Sequence, residues 1–261
     1  MRSRAEIKAN ARAAMGIQRG TSILLSFIYS VMVLGVSFAS GILDGIVELI
    51  FGIGIIYWFV YAVGFIIIYF ISYVMLVNMI GEYIKLYKRK QADVGALISK
   101  FPVNTMRKFG GMLWMNFLLF IWLLFLVIPA VFLIMLSADE LLTIALLGIA
   151  VLLISIPITI KYCSYFFTAN VLADCPNVKA TDAVFISKRI THGHKMDVFV
   201  FNLSWIGWML LSILTCGILY IVYVAPYYWT SDSGLYIEMR NEALKEGRIT
   251  LAEIGKKERL Q

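Results

Sequence analysis

The segment from Leu49 to Ile80 reads LIFGIGIIYWFVYAVGFIIIYFISYVMLVNMI and contains no charged side chain. About 20 apolar residues are enough for an α-helix to cross a hydrocarbon core of about 30 Å. A pair of spans would need a polar turn, which this run lacks. It therefore predicts one long, tilted transmembrane helix with a glycine-rich start at Gly52 and Gly54, near the outer interface.

The whole chain shares this apolar character, since 61% of its 261 residues are hydrophobic and only 15% are charged. Soluble domains have about 45–50% apolar and about 25% charged residues. The composition excludes soluble enzymes, disordered chains, collagen-like fibres and disulfide scaffolds. The uninterrupted apolar runs also exclude a transmembrane β-barrel, whose strands alternate. The three cysteines form no Cys-x-x-Cys pair and are interpreted as small buried side chains.

Five further apolar segments meet or approach the length of a membrane span. They are Thr21–Leu43, Gly111–Leu136, Leu141–Ile160, Val198–Leu214 and Ile218–Ile237. The predicted fold is an all-α polytopic membrane bundle of six transmembrane helices. Residues 1–20 are predicted to form a basic amphipathic surface helix, residues 21–238 the six-span domain, and residues 239–261 a charged cytoplasmic tail.

The basic residues orient this bundle. All 23 Lys and Arg residues lie before the first span, in the loops after spans two and four, or after the last span. The three other connections carry only Asp44, Glu48, Asp139 and Glu140. Cytoplasmic loops are enriched in Lys and Arg, so both termini are predicted to be cytoplasmic. The segment 37–39 resembles a signal-peptide cleavage site, but we expect the first span to remain as an anchor.

The N-terminal segment has the pattern of a helix on a membrane surface. Ser3 and Glu6 have the spacing of a capping box. Arg4, Lys8 and Arg12 recur every four residues and form one basic stripe. Two interpretations remain open: the stripe contacts anionic lipid headgroups on the cytoplasmic face, or it contributes only to the positive charge that sets orientation.

Catalytic motifs are missing from the sequence, including Gly-x-Ser-x-Gly, Ser-x-x-Lys, His-Glu-x-x-His and the P-loop. We therefore predict no enzymatic activity, no catalytic residue, no cofactor and no nucleic-acid partner. His192 and His194 could bind a metal together with Asp197, but neighbouring cations such as Lys195 would repel the ion. No metal site is predicted.

Asp232 is the deepest charge in the chain and the best candidate for an intramembrane polar site. It lies about 21 Å into span six at 1.5 Å per residue, short of the inner boundary. An isolated carboxylate there is costly, so we expect a lysine nitrogen within about 4 Å, from Lys161 at the end of span four or Lys195 at the start of span five. The alternative interpretation is one wall of a polar cavity that faces the cytoplasm.

Spans five and six are predicted to form a helical hairpin. Thr215, Cys216 and Gly217 would make its tight outer turn, in which glycine supplies an unusual backbone conformation. Gly207 is expected to permit close helix approach. Pro226 and Tyr227 complete this structural motif in span six.

These C-terminal motifs resemble a known family. Ser187 and Gly193-His194-Lys195, then the segments 202–208, 214–218 and 225–227, and the N-terminal segment 7–12, are similar to a bacterial multi-pass membrane family catalogued as domain of unknown function 975. Trp205 and Leu219 depart from its pattern, which has Phe and Gly there. The family is distantly similar to the membrane portion of some glycerophosphodiester phosphodiesterases, which carries no catalytic residues. The resemblance implies a membrane protein without assigned activity.

We therefore expect an integral plasma-membrane protein that acts in membrane-embedded interactions or envelope maintenance. Its expected partners are the bilayer and a membrane protein or a second copy of the chain. The alternative is a small transporter or export accessory with a polar cavity between spans four, five and six. A solid interior around Asp232 would favour the first function, and an accessible cavity would favour the second.

Overall fold

A computed structural model describes residues 3–135 and 140–255, and within these ranges the chain forms helices and turns but no strands. The all-α prediction is confirmed. The helices are α1 (Arg4–Ile17), α2 (Arg19–Phe51), α3 (Ile55–Tyr87), α4 (Ala96–Ser99), α5 (Thr105–Met135), α6 (Glu140–Tyr165), α7 (Thr168–Asp174), α8 (Ala180–Ile190), α9 (Lys195–Leu203), α10 (Ile206–Leu214) and α11 (Ala225–Lys245). A π-helical segment, Tyr220–Val224, precedes α11.

Among the described residues, five helical stretches are long and apolar enough to cross a membrane. They are Arg19–Ile50, Ile55–Tyr87, Thr105–Pro129, Leu142–Asp174 and Lys195–Leu214. The remaining predicted span, Ile218–Ile237, is not among these stretches. It passes from the π-helical segment into α11, whose sequence is much more polar than the five stretches. The predicted long second helix is present, but it begins at Ile55 rather than Leu49. The preceding helix, α2, continues to Phe51, and Gly52 ends it with φ 66°.

The molecule has two zones. In α2, the first half of α3, α5 and α6, large apolar side chains are exposed, as Ile55 (90%) and Phe125 (70%) illustrate. The buried core instead joins α1, the segment 74–86 of α3, α7, α8 and α11. We call this packed zone the helical base. The exposed apolar surface outside the base is what a lipid-embedded helix requires, since lipid tails replace protein neighbours there.

The base includes most of the predicted C-terminal tail. The chain reverses at Gly247, which has φ 70°, and returns to bury Ile249 and Ile254. Arg248 Nη1 donates to the carbonyl oxygens of the segment 189–192, where α8 ends. Carbonyl groups at a helix C-terminus have no partner within their own helix, so this arginine satisfies them. The segment 239–254 is therefore part of the folded base rather than a free tail.

Pro226 explains the break before α11. Proline has no backbone N–H and cannot donate to the carbonyl four residues earlier. The preceding turn, Tyr220–Val224, is π-helical, and Pro226 occupies the first turn of α11, where a missing N–H costs little. A π-bulge of this kind accommodates the lost hydrogen bond without ending the helical path.

Candidate functional site

The predicted polar site around Asp232 lies inside the helical base. Asp232 is 2% exposed, and its Oδ2 accepts a hydrogen bond of 2.8 Å from Asn170 Nδ2. Its Oδ1 has no hydrogen-bond partner among the described residues, and the same holds for the buried hydroxyls of Ser231 and Ser233. This stretch of α11 is therefore polar, buried and only partly satisfied.

The predicted ion pair of Asp232 is wrong. Within residues 3–135 and 140–255, no Lys or Arg nitrogen lies within 4.0 Å of its carboxylate. Lys161 Nζ instead lies 3.8 Å from the centroid of the Trp122 ring, a cation–π geometry. Lys195 lines an apolar cavity of about 350 Å³ between α6 and α9. Neither lysine belongs to the Asp232 site.

Asn170 occupies the position that we predicted for a lysine because α7 follows α6 after a two-residue turn at Phe166 and Phe167. The Ser187 hydroxyl accepts a hydrogen bond of 3.1 Å from Phe167 N and donates one of 3.2 Å to Ser164 O, which fixes this turn. The following helix, α7, packs against α3 and α8. Its buried face presents Asn170 to α11.

The other buried carboxylates of the base are ion-paired. Asp174 contacts Lys88 at 3.0 Å and also pairs with Arg240. The side chain of Glu82 is fully buried and pairs with both Lys85 and Lys100. A buried carboxylate without a cation is costly as an anion, and Asp232 differs from both pairs because no cation of the described residues contacts it. Sequence reasoning missed these pairs, because their members lie far apart in the chain or in predicted loops.

The basic stripe of α1 contacts the hairpin. Lys8 Nζ donates to Ser204 Oγ at 2.7 Å and lies 4.7 Å from the centroid of the Trp205 ring. Arg12 Nη2 donates to the Tyr227 hydroxyl at 3.1 Å. The predicted capping box, Ser3 with Glu6, is present at the start of the helix. The stripe thus helps to dock α1 on the protein, and its contact with lipid headgroups stays a prediction.

Burial and repulsion weaken the charge of this stripe at Lys8. Partial burial, followed by the positive charges of Arg4 and Arg12, lowers the pKa of the Lys8 ammonium. Arg4 lies 4.0 Å from Asp197, and both side chains are substantially exposed. An ion pair of this kind contributes little to stability.

The outer turn of the hairpin has the predicted glycine conformation. Gly217 has φ 82° and the preceding Cys216 has φ 50°. The Thr215 hydroxyl accepts from Leu219 N at 3.2 Å and donates to Ser212 O at 3.0 Å, which closes the turn. Cys216 is exposed there, whereas Cys163 and Cys175 are buried. The prediction of three buried cysteines is thus wrong for Cys216.

The predicted close approach at Gly207 is also wrong, since a Cβ atom there would meet no atom within 4 Å. Close helix approaches lie instead at Gly234, where a Cβ would clash with the Tyr87 ring, and at Gly111, where it would clash with the Leu172 side chain. Tyr227, in contrast, is buried as a packing residue, with its ring centroid 4.9 Å from that of Trp205. A glycine in the sequence therefore did not show by itself whether that face of the helix contacts another helix or is free.

His194 lies near two carboxylates at the end of α11. Ligand atoms of His194, Glu242 and Glu246 lie within 4.8 Å of one another. Arg248 Nε already donates to Glu246 at 2.6 Å, and His194 Nδ1 lies 3.2 Å from Asp197. Hydrogen bonds and ion pairs within the chain therefore hold these side chains together.

The long apolar helices and the packed base define a helical membrane protein. A family model described as "Protein of unknown function (DUF975)" matches residues 1–243, so the chain belongs to this family. The comparisons with curated proteins and with solved structures give no match. The similarity to the membrane portions of glycerophosphodiester phosphodiesterases stays a prediction.

Proposed function

We propose that this protein is a non-enzymatic interaction protein of the bacterial plasma membrane. The observation that carries the proposal is the solid packing around Asp232, which is 2% exposed. Asp232 lines none of the described cavities that α6 forms with α9, α3 with α5, or α5 with α6. A transport site requires access for its substrate, so a closed interior favours the interaction role over the transporter alternative.

The proposed topology has six spans and both termini in the cytoplasm. Val198 and Phe201 at the start of the hairpin are buried in the base, and α11 at its end packs in the base as well. The chain therefore leaves the base and returns to it around the turn at Gly217. This path supports Ile218–Ile237 as the return span, although α11 itself is polar. The basic residues support a position of the base at the cytoplasmic side of the bilayer, and the second half of Ile218–Ile237 lies within it.

The outer surface of the base offers a place for a membrane-protein partner or a second copy of the chain. Phe185 on α8 is 50% exposed, although its neighbours Val184 and Ile186 are buried. Lys188 on the same helix is also exposed. Aromatic residues within a polar surround are common in protein interfaces.

The accessibility of Asp232 tests the proposal against the transporter alternative. In a variant without Cys163, Cys175 and Cys216, Asp232→Cys should resist a membrane-permeant maleimide in native membranes and react only after denaturation. Lys90→Cys, at an exposed position, is the matched positive control. Rapid labelling at position 232 in folded protein would favour the transporter.

The interaction itself is tested with a photo-crosslinking amino acid at Phe185 in living cells. The proposal expects a discrete crosslinked protein or dimer at native expression level. The matched control is Ile149, which is 55% exposed in the middle of α6 and should contact lipid. The interaction role would be contradicted if position 185 forms no crosslinked adduct. It would also be contradicted if positions 185 and 149 form the same diffuse adducts.

A further inference from the structure

A basic cavity of about 410 Å³ lies between the end of α3, the start of α5 and α7. Its lining includes the cations Lys100, Arg107 and Lys108 and the side-chain amides of Asn78 and Asn104. No Asp or Glu belongs to the lining. The cavity is separate from the Asp232 site. The hairpin and the basic stripe of α1 contribute no residue to its lining.

Lys108 is the most buried of the three cations, with 7% exposure. Its Nζ donates to Asn78 Oδ1 at 2.6 Å and to the Lys100 carbonyl oxygen at 2.8 Å. Within the described ranges it has no carboxylate partner. An ammonium group has three N–H donors, so one remains for a ligand.

Arg107 is held rigidly at the edge of the cavity. Its guanidinium donates to the carbonyl oxygens of Leu172 (2.6 Å), Cys175 (3.2 Å) and Val178 (2.9 Å), near the end of α7. Its Nε is buried and has no hydrogen-bond partner in the described part of the chain. The guanidinium is thus fixed by neutral acceptors, and no carboxylate of the described residues pairs with it.

Among the described residues, Lys100 alone of the three has a carboxylate partner. It pairs with Glu82, which lies outside the cavity lining and also pairs with Lys85. The cavity therefore concentrates positive charge in a partly buried space. Burying unpaired charge is costly, and a bound anion would offset this cost.

We propose that this cavity binds a phosphate group, supplied either by an anionic phospholipid headgroup or by a soluble phosphate compound. Lysine and arginine N–H groups together with amide donors suit phosphate oxygens. Lys108 lies just before Gly111, where the predicted third span begins, and Asn78 lies near the end of the second. Basic pockets at this level of the cytoplasmic side suit lipid headgroups. The inference does not rest on the interaction role.

The test uses the full-length chain in uncharged detergent micelles, after exhaustive detergent exchange. Inorganic phosphate is titrated against chloride at equal ionic strength, and phosphatidylglycerol is titrated against a diacylglycerol with the same acyl chains. Binding should raise the midpoint of thermal unfolding, followed by tryptophan fluorescence, by about 4 °C at saturation. A response to phosphatidylglycerol alone assigns a headgroup site, and a response to inorganic phosphate assigns a soluble ligand.

Two variants and one control assign the response to the cavity. Lys108→Met should weaken the apparent affinity at least about tenfold, since it removes a buried charge partner. Asn78→Asp places a carboxylate against Lys108 and should abolish the response while the chain still folds. Lys90→Met removes an exposed charge outside the cavity and should respond like wild type. No stabilisation of wild type by either probe, or equal weakening by Lys90→Met and Lys108→Met, would overturn the proposal. A folded Asn78→Asp variant with an unchanged response would overturn it as well.

Discussion

Asn170 on α7 donates a hydrogen bond of 2.8 Å to Asp232 on α11, across a separation of 62 residues in the chain. It is the one hydrogen bond that the Asp232 carboxylate makes within the described ranges. The contact joins the segment after α6 to the helix that follows the hairpin. A neutral amide thus occupies the place where sequence reasoning expected a cation, and this changes what substitutions at the site should do.

Asn170→Ala should lower the free energy of unfolding by about 1–3 kcal/mol, because it leaves both carboxylate oxygens of Asp232 buried without a partner. Asp232→Asn should be less damaging, since it keeps an acceptor oxygen for Asn170 and carries no charge. Unfolding by SDS titration in mixed micelles measures both values.

The two variants also distinguish the hydrogen bond from an ion pair. If Asp232 were paired with a lysine, Asp232→Asn would be the more damaging change, at about 3–5 kcal/mol, because it would leave a buried cation alone. Lys161→Ala serves as the control. Its effect should add to that of Asp232→Ala, since the two side chains have no common hydrogen-bond partner among the described residues.

The helical fold was predictable because the signal is long and local. An apolar run such as Leu49–Ile80 indicates a transmembrane helix even when the helices that pack against it are unknown. The capping box at Ser3 and the glycine break before Ile55 are also local signals, and both are present. The end of the chain was less predictable, because Ile249 and Ile254 are buried by contacts with distant segments.

The candidate site was less predictable because depth in a span does not determine which helices are neighbours. Asp232 was correctly identified as buried, but its partner comes from the short helix α7, whose position depends on the turn that Ser187 holds. The charge pairs of Glu82 likewise join α3 to the loop around Lys100. Such contacts require the tertiary structure.

Topology can be checked with single cysteines in membranes of intact cells. An engineered cysteine at Asp44 should react with an impermeant reagent added outside, whereas one at Lys90 should react only after the membrane is opened. The reason is the segregation of all 23 basic residues. Asp139 and Lys257 complete the test as an outer and an inner position, although both lie outside the described residues. External labelling at Lys257 would contradict the six-span proposal.

Gly217→Ala should lower the free energy of unfolding by about 1 kcal/mol, because its φ of 82° disfavours any residue with a Cβ. Steric crowding is not the cause, since a Cβ there would meet no atom within 4 Å. Gly207→Ala is the matched control in a helix and should be neutral or slightly stabilising. Thermal unfolding in detergent measures both, and equal effects would show that the turn conformation is not under strain.

Gly234→Ala should be more damaging than Gly217→Ala, because its Cβ would clash with the Tyr87 ring at the contact between α11 and α3. Overpacking of this kind costs about 1–3 kcal/mol. The double variant Gly234→Ala with Tyr87→Leu should recover part of the loss by removing the ring. No recovery would place the damage in α11 itself rather than in the helix contact. The folded fraction after size-exclusion chromatography gives the measurement.

The basic stripe of α1 can stabilise the protein through its contacts with the hairpin or through lipid headgroups, and a change of lipid composition distinguishes the two. Lys8 and Arg12 bind the hairpin through Ser204 and Tyr227, so Lys8→Met and Arg12→Gln should destabilise the protein. Each loses a hydrogen bond to a charged group, worth about 1.5–3 kcal/mol when buried and less at this partly exposed surface. This loss should be the same in nanodiscs of neutral and of anionic lipid.

Arg4 provides the control, because its contact with Asp197 at 4.0 Å lies between exposed side chains. Arg4→Gln should change stability little in neutral lipid. If the stripe also contacts headgroups, Arg4→Gln should weaken stabilisation by anionic lipid, since a basic residue near the surface contributes about 1 kcal/mol there. Thermal unfolding of the three variants in both lipids gives these comparisons. A different result would contradict the docking role: Lys8→Met leaves stability unchanged in neutral lipid and lowers it only in anionic lipid. In that case the contact with Ser204 would not contribute to stability, and the stripe would act through the membrane alone.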